Sequence, residues 1–322
     1  MSYKNSILIV SGEPNSVFLE LFFKAHKKEK IKNPIILISS EKLLKLQMNK
    51  LNIKRKIRLL NVKKLSHYEL DNNSINLINV KLNQKKAFEK ISKKSNEFIK
   101  NSFDIAFNII KKDKIYKLIN GPISKKSFLE NKYLGITEYI SQKFNLKKTG
   151  MLIYNKNLSV CPITTHLPLK AVSKNITKKL IIEKTILVNN FYKNILKKKP
   201  KIAVLGLNPH CESIFKFNED FNIINPAVKN LKKQKYNVSG PFPADTFFLS
   251  QNRKKYDVVV GMYHDQVLTP IKTLFEYDAI NITMGLPFIR VSPDHGPNEE
   301  MLGKNKSNPT SLIQAINFLD KN

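Results

Sequence analysis

Cysteine and tryptophan are scarce in this chain of 322 residues, which has two cysteines and no tryptophan. Cys161 and Cys211 lack CxxC spacing, and a disulfide framework needs more than two cysteines. A fold held together by disulfides is therefore excluded. Scarce, unpaired cysteine is typical of a reducing compartment, so we expect the protein in the cytoplasm.

Long apolar runs are also missing. No stretch approaches the roughly 18 apolar residues that a membrane-spanning helix needs. Near the start only Ile7–Val10 is continuously apolar. So short a run, without a small-residue cleavage site after it, is typical of a strand rather than a signal peptide. We expect no membrane partner.

Arginine is rare although the chain is strongly basic. Only four of the 56 basic residues are arginine (Arg55, Arg58, Arg253 and Arg290), and the formal net charge is +31. A charge of this size raises the alternative of a nucleic-acid-binding protein. However, arginine is the side chain best suited to bidentate phosphate and guanine contacts, and the lysines are spread along the chain. A solvated lysine-rich surface is the favoured interpretation, with no specific nucleic-acid partner.

Glycine motifs for phosphate binding are absent too. The ten glycines form neither the GxGxxG fingerprint nor the GxxxxGK[ST] loop. Residue spacing alone therefore reveals no nicotinamide cofactor.

What is present is an alternation of short apolar strands and amphipathic helices. The chain is 42% apolar, which is enough for a core, and its length suits two α/β lobes. Strands are predicted at Ile7–Val10 and Pro34–Ser39, each followed by a helix, at Val17–His26 and Glu41–Met48. This order predicts a parallel sheet with helices on its faces.

The rest of the chain continues this pattern after a lysine- and asparagine-rich segment, residues 49–113, that is harder to interpret. Further strands are predicted at Tyr116–Ile119, Met151–Tyr154, Leu158–Pro162, Ile202–Leu207 and Tyr256–Met262. Further helices are predicted within Lys85–Lys112 and at Ile176–Lys197 and Asn222–Gln234.

Histidines follow several of the predicted strands. Ligands of open parallel sheets bind beyond the carboxyl ends of the strands, and His166, His210 and His264 lie there. Three imidazoles suit a divalent transition metal and leave positions open for a substrate. The alternative is three unrelated loop histidines that bond to the backbone. His26 and His67 lie among lysines and are expected to face solvent.

A second group of polar residues lies in the last third of the chain: Asp245, Lys272, Asn281 and Arg290. Lysine and arginine bind phosphate and carboxylate groups. A rare arginine among lysines indicates a position where lysine would not serve, whereas Lys272 is equally compatible with a surface role. Asp245 could orient a ligand or act as a base, or it could cap a helix that begins at Thr246.

Seven strings occur in one order along the chain: NGPISK (Asn120–Lys125), GITEY (Gly135–Tyr139), THLPL (Thr165–Leu169), GLNPH (Gly206–His210), GPFPADT (Gly240–Thr246), YDVVVGMYHDQVLTPIK (Tyr256–Lys272) and INITMGLPFIRVSPDHGP (Ile280–Pro297). At these residues the chain resembles the 4-hydroxythreonine-4-phosphate dehydrogenase family of vitamin B6 (pyridoxal phosphate) biosynthesis. The last two strings are long and highly specific, and the resemblance covers most of the chain after residue 120.

The resemblance implies a two-domain α/β/α sandwich of the isocitrate and isopropylmalate dehydrogenase type. The first α/β domain would comprise residues 1–125 and 290–322. The second would comprise residues 126–289 and would carry the metal site and the contact of a homodimer. The active site would lie at the interface between the two subunits.

The resemblance also implies the roles of individual residues. His166, His210 and the partner subunit's His264 would bind one divalent cation such as Zn, Mg or Co. The substrate-binding residues would be Thr137, Lys272, Asn281 and Arg290, the catalytic residues Asp245 and Lys272, and the cofactor-binding residues His295 and Gly296. NAD or NADP would be bound without a GxGxxG turn. The implied reaction oxidises 4-phosphohydroxy-L-threonine to an amino-oxo acid phosphate, which decarboxylates to 3-amino-2-oxopropyl phosphate.

The chain departs from the family pattern at three places. Ile136 stands where family members usually have histidine, Gly12–Val17 replaces a glycine-rich turn, and Cys211–Phe215 replaces the glycines that usually follow the Asn-Pro-His string. Two alternatives therefore stay open. One is a paralogue that oxidises another four-carbon acid phosphate, such as phosphorylated threonate or erythronate. The other is a non-catalytic basic binding protein on the same fold, against which the intact histidines, Lys272 and Arg290 argue.

Overall fold

The computed structural model describes residues 3–28, 31–124, 127–129, 133, 135–214, 217–293 and 296–322. The chain divides into two compact units. The first is Met1–Ile140 together with Pro287–Asn322, and the second is Ser141–Leu286. Among the described residues, no helix combines the length and the apolar character needed to cross a bilayer.

The strands are β1 (Ile7–Val10), β2 (Ile35–Ser39), β3 (Ile57–Leu59), β4 (Ile75–Asn79), β5 (Lys117–Asn120), β6 (Gly150–Tyr154), β7 (Ser159–Thr164), β8 (Ile202–Leu205), β9 (Val238–Phe242), β10 (Val258–Tyr263), β11 (Ile280–Met284) and β12 (Ile289–Pro293). The α-helices are α1 (Phe18–Lys28), α2 (Glu41–Lys50), α3 (Asn96–Asp113), α4 (Ile136–Lys143), α5 (Leu169–Asn175), α6 (Lys178–Asn194), α7 (Asn225–Lys233), α8 (Ala244–Phe247), α9 (Ser250–Arg253), α10 (His264–Phe275) and α11 (Thr310–Lys321). Short 3-10 helices lie at Tyr3–Asn5, Val62–His67, Lys93–Ser95, Pro209–Cys211 and Glu299–Met301, and a π-helix lies at Asp220–Ile224.

The first unit contains six parallel strands in the order β3-β4-β2-β1-β5-β12. Every residue of β1 and β2 is buried, as expected for continuous apolar runs in a sheet covered on both faces. Helix α3 packs against β1 and β2, and α11 packs against β12. The predicted α/β class is confirmed.

The second unit contains the strands β11-β6-β7-β10-β8-β9. Strand β6 runs antiparallel to both of its neighbours, whereas β7, β10, β8 and β9 are parallel. Its core is apolar and includes Val160, Leu205, Val259, Val267 and Ile271. The carboxyl ends of β7, β10 and β8 therefore meet along one edge of the sheet.

The predictions from apolar runs are confirmed for β1, whose bounds match, and closely for β2, β7, β8 and β10. Strands β3 and β4, which lie in the lysine-rich segment, and strands β9, β11 and β12 were not predicted from the sequence. Only residues 96–113 of the region expected to be helical after Lys85 form an α-helix. The predicted helix Asn222–Gln234 starts as the π-helix Asp220–Ile224 before it continues as α7.

His26 is buried, and the expectation that it faces solvent is wrong. Its side chain lies on α1, is 6% exposed and contacts the ring of Phe22. Arg55 donates from Nη2 to its Nδ1 at 2.7 Å and to its backbone oxygen at 3.1 Å. Because arginine can only donate, Nδ1 accepts and the imidazole is neutral. His67 is exposed, as expected.

This environment predicts an acid-sensitive contribution to stability. Burial, and then the Arg55 charge, lower the pKa of His26 from 6.5 to about 4. The unfolded chain therefore binds a proton between pH 6.5 and 4 that the folded chain does not, so the free energy of unfolding falls as the pH decreases through that window. Between pH 7.5 and 4.5, the free energy of unfolding measured with denaturant should fall by about 2–3 kcal/mol more in the native protein than in His26→Gln.

Glutamine keeps an acceptor for Arg55 but does not titrate. His67→Gln, which changes the exposed histidine, is the matched control and should behave like the native protein. Equal pH dependence in His26→Gln and the native protein would show that this histidine does not carry the effect.

Candidate active site

Three of the predicted site histidines follow neighbouring strands of the second unit. His166 comes two residues after β7, and His264 directly follows β10 as the first residue of α10. His210 lies in the 3-10 turn Pro209–Cys211 beyond β8. Because β7, β10 and β8 are parallel neighbours, all three histidines extend from the same edge of the sheet, where α/β proteins bind their ligands.

Side chains tie these strand ends together. Thr164 Oγ1 donates to the backbone oxygen of Met262 at 2.8 Å, which joins the ends of β7 and β10. The buried Gln266 donates from Nε2 to the oxygen of Gly206 at 2.7 Å and accepts from the nitrogen of Met262 at 2.6 Å. These bonds fix the strand ends from which His166, His210 and His264 project.

His166 and His264 lie side by side. Their ring centroids are 6.1 Å apart and the rings are inclined by 37°. His264 Nδ1 lies 2.6 Å from the carboxylate of Asp265, an arrangement that orients an imidazole and directs Nε2 toward a ligand. Within the part of one chain that the structure describes, no three His, Cys, Asp or Glu side chains are grouped closely enough to hold a metal ion. One chain therefore pairs two of the histidines and leaves His210 outside the pair.

The turn that carries His210 has an unusual backbone. His210 and the following Cys211 have φ of 56° and 61°, in the left-handed region that residues other than glycine seldom adopt. His210 is exposed. Burial, followed by the charge of Asp220, raises the pKa of Cys211 to about 11, so its thiol stays protonated near neutral pH.

Asp245 lies in the first turn of α8, the helix next to the His210 turn. The helix begins at Ala244, one residue before Asp245, with Pro243 at the cap position and no side-chain capping bond. The alternative in which Asp245 caps a helix starting at Thr246 is therefore wrong. Its carboxylate is exposed and close enough to raise the pKa of Cys211, so it is available to a ligand at this edge.

Two further predicted site residues belong to the same unit. Lys272 is half-buried on α10, the helix that starts with His264. Asn281 is half-buried on β11, and its Oδ1 is buried with no hydrogen-bond donor among the described residues. Buried polar atoms of this kind are uncommon and need an explanation, and a ligand that donates a hydrogen bond would supply one.

Thr137 and Arg290 belong to the first unit. Thr137 is half-buried in the first turn of α4, beside Ile136. Arg290, on β12, is 0% exposed and donates from Nε to Asn120 Oδ1 at 2.7 Å. Burial lowers the pKa of Arg290 to about 10, and the carboxylate of Glu138 opposes this shift. Arg290 is more deeply buried than expected for a surface side chain that binds phosphate.

The loop after β1, where this chain lacks the family's glycine-rich turn, is filled by its own side chains. Asn15 Oδ1 accepts from Gln84 Nε2 at 3.0 Å and from the nitrogen of Glu89 at 2.7 Å. Glu13 is 1% exposed, and burial raises the pKa of its carboxyl. Of the predicted cofactor-binding residues, Gly296 has open space where a Cβ atom would lie, whereas His295 lies outside the described residues.

The histidines could be predicted from the sequence, but the residues that support the site could not. Gln266 lies in the string YDVVVGMYHDQVLTPIK, and Asn120 begins the string NGPISK. Both residues therefore belong to recognised motifs, but their structural roles could not be predicted. Their partners, Gly206 and Arg290, lie 60 and 170 residues away. Spacing along the chain gives no signal for contacts of that range.

Two α/β units with histidines beyond the ends of parallel strands are typical of an α/β enzyme that binds its ligands at the strand ends. The family model of the pyridoxal phosphate biosynthetic protein PdxA matches residues 30–319. The chain belongs to this family.

Similar proteins span the whole chain. The 4-hydroxythreonine-4-phosphate dehydrogenase of Sulfurihydrogenibium sp. (strain YO3AOP1) is 38% identical over 320 residues, covering 96% of this chain and 96% of that protein. The protein of the same name from Wigglesworthia glossinidia brevipalpis is 31% identical and covers 99% and 96%. The crystal structure of the enzyme so named from Klebsiella pneumoniae superposes with a TM-score of 0.85 at 26% identity, covering 98% of each chain.

Proposed function

We propose that this protein oxidises 4-phosphohydroxy-L-threonine with NAD or NADP, giving an amino-oxo acid phosphate that decarboxylates to 3-amino-2-oxopropyl phosphate in vitamin B6 biosynthesis. The observation that carries the proposal is the placement of His166, His210 and His264 beyond the carboxyl ends of three neighbouring parallel strands. It occurs in a chain that matches relatives of this named activity over nearly its full length.

The donor set fits a divalent metal. His166, His210 and His264 offer imidazole nitrogens, and Asp265 orients the ring of His264. The resemblance to the dehydrogenase family favours a homodimer in which both subunits contribute ligands, with the partner subunit's His264 as the third. A bound divalent ion would supply Lewis acidity toward the substrate oxygen.

Substrate recognition would combine positively charged and neutral polar side chains. Lys272 and Arg290 provide positive charge for the phosphate and carboxylate groups. Asn281 Oδ1, which has no donor among the described residues, suits the substrate's ammonium group. Thr137 adds a hydroxyl from the start of α4. Together these side chains match a small phosphorylated hydroxy-amino acid better than an apolar substrate.

Oxidation needs a proton acceptor as well as a hydride acceptor. A bound nicotinamide would supply the hydride acceptor. The exposed carboxylate of Asp245, beside the His210 turn, would accept the hydroxyl proton at Oδ1 or Oδ2. Lys272 would hold the carboxylate that leaves as CO₂. His295 and Gly296 are proposed near the adenosine end of the cofactor.

A second candidate function rests on Ile136, which is half-buried beside Thr137. An apolar side chain cannot donate a hydrogen bond where family members usually carry histidine. Oxidation of a related acid phosphate, such as phosphorylated threonate or erythronate, is the function this position favours.

The decisive assay measures reduction of NAD and NADP with each of these substrates, with and without a chelator. We expect 4-phosphohydroxy-L-threonine to give the largest kcat/KM and the chelator to remove activity. A larger kcat/KM on phosphorylated threonate or erythronate would favour the paralogue. No nicotinamide reduction with any of the three, at any added metal, would favour the non-catalytic alternative.

A further inference from the structure

Asp220 is a buried carboxylate that holds the chain just before His210. It is 1% exposed and is the first residue of the π-helix Asp220–Ile224. Its Oδ1 accepts from the nitrogen of Leu207 at 2.8 Å. Its Oδ2 accepts from the nitrogen of Asn208 at 3.1 Å and from Asn208 Nδ2 at 2.9 Å. Three N–H donors thus converge on one carboxylate, and two of them are backbone groups two and three residues before His210.

Gly206 leaves the space in which this carboxylate lies. A Cβ atom at this position would be 2.5 Å from Asp220 Oδ1 and 2.6 Å from Cys211 Sγ, closer than real Cβ contacts. The absence of a side chain at Gly206, just after β8, therefore allows the Asp220 carboxylate to pack closely against the backbone there. Asn208 Nδ2 also donates to Glu219 Oε2 at 3.0 Å, which adds a second link between the turn and the π-helix.

The turn needs such support because its backbone is strained. His210 and Cys211 both have left-handed φ angles, and strained non-glycine residues persist only where the surroundings fix them. On the other side, Gln266 holds the oxygen of Gly206. The segment that leads from β8 to His210 is thus clamped between Gln266 and Asp220.

We propose that Asp220 is a positioning residue for the active site: its carboxylate fixes the turn that presents His210 to the metal. The expected effect on metal affinity rests on the proposed function. The contacts by which Asp220 holds the turn do not depend on that function. The carboxylate does not reach the substrate or the metal in this account. It acts through the backbone of Leu207 and Asn208.

Asp220→Asn replaces one acceptor oxygen by an NH₂ group that cannot accept the N–H bonds. The matched control is Asp257→Asn. Asp257 Oδ2 accepts from the nitrogen of Lys201 at 2.8 Å, directly before β8, so the control removes a carboxylate-to-backbone bond at the opposite end of the same strand.

Two measurements on the full-length protein separate positioning from general destabilisation. Hydrogen exchange should become faster across residues 206–211 in Asp220→Asn and remain unchanged there in Asp257→Asn. The affinity for Co²⁺, measured by competition with a chromophoric chelator and by the visible absorption of the bound ion, should fall roughly 10- to 100-fold in Asp220→Asn only, the range found for residues that orient metal ligands.

Should Asp220→Asn fail to fold, Asn208→Ala removes the side-chain link alone and should shift both readouts in the same direction by a smaller, severalfold amount. Unchanged exchange across residues 206–211 and unchanged Co²⁺ affinity in these variants would overturn the proposal. If the native protein binds no Co²⁺, the proposed metal function fails, and the exchange measurement still decides whether Asp220 fixes the turn.

Discussion

His210→Ala is expected to lower turnover roughly 1000-fold or more and to remove the bound metal. The variant takes one imidazole from a set of three, and the remaining two, His166 and the partner subunit's His264, are too few ligands for tight binding. Loss of a bound Lewis acid costs several kcal/mol of transition-state stabilisation, and each 1.4 kcal/mol is a factor of ten in rate. Metal content per chain and kcat, measured on the same preparation, test the expectation.

The matched control for this variant is His67→Ala, because His67 is exposed in the first unit. It should keep both metal content and activity. Full activity in a metal-free His210→Ala preparation would show that the histidines at the strand edge serve another purpose.

Arg290→Met is expected to destabilise the folded chain by about 3–5 kcal/mol, the usual cost of removing one partner of a buried charged pair. The guanidinium is fully buried, bonds Asn120 Oδ1 and lies near Glu138, whose Oε2 is buried without a hydrogen bond from the described residues. Without Arg290 this carboxylate stays buried with its counter-charge removed. Denaturant unfolding of the variant measures the loss.

A double-variant cycle with Glu138→Gln identifies the cause. If the unpaired carboxylate is responsible, Glu138→Gln should cost less in the Arg290→Met background than in the native protein. Arg58→Met, which removes an exposed arginine that bonds the oxygen of Glu69, should change stability by less than about 0.5 kcal/mol. Additive effects of Arg290→Met and Glu138→Gln would contradict the coupling.

Arg290→Lys separates binding from folding. Lysine keeps the charge but replaces a planar fork by a point charge, so we expect KM for the substrate to rise roughly tenfold or more with a smaller change in kcat. An unchanged KM together with reduced stability would assign Arg290 to the structure of the first unit alone.

The strand framework follows from the sequence because buried parallel strands are continuous apolar runs. Ile7–Val10 and Val258–Tyr263 need no knowledge of their neighbours to be recognised. Strands β3 and β4 escape recognition because β3 has only three residues with Arg58 at its centre, and asparagine interrupts the apolar positions of β4. His26 was misjudged for a related reason: its neighbours in sequence are lysines, whereas Arg55, which determines its environment, is 29 residues away.

The candidate site, like the strands, could be predicted only in part from the sequence. Its histidines could be predicted because each follows a recognisable strand, so their position at the sheet edge is a local property. The residues that hold them, Gln266, Asp220 and Thr164, act through contacts with Gly206, Leu207 and Met262 that depend on the folded sheet. Arg290 was found by its rarity, but its burial against Asn120 could not be read from the chain.

The most direct test of the proposed function uses 4-phosphohydroxy-L-threonine that carries deuterium on the carbinol carbon. With NAD or NADP and a divalent metal, the reduced nicotinamide should contain the deuterium, and one CO₂ should be released for each nicotinamide reduced. Reduced nicotinamide without deuterium, or oxidation without release of CO₂, would contradict the account.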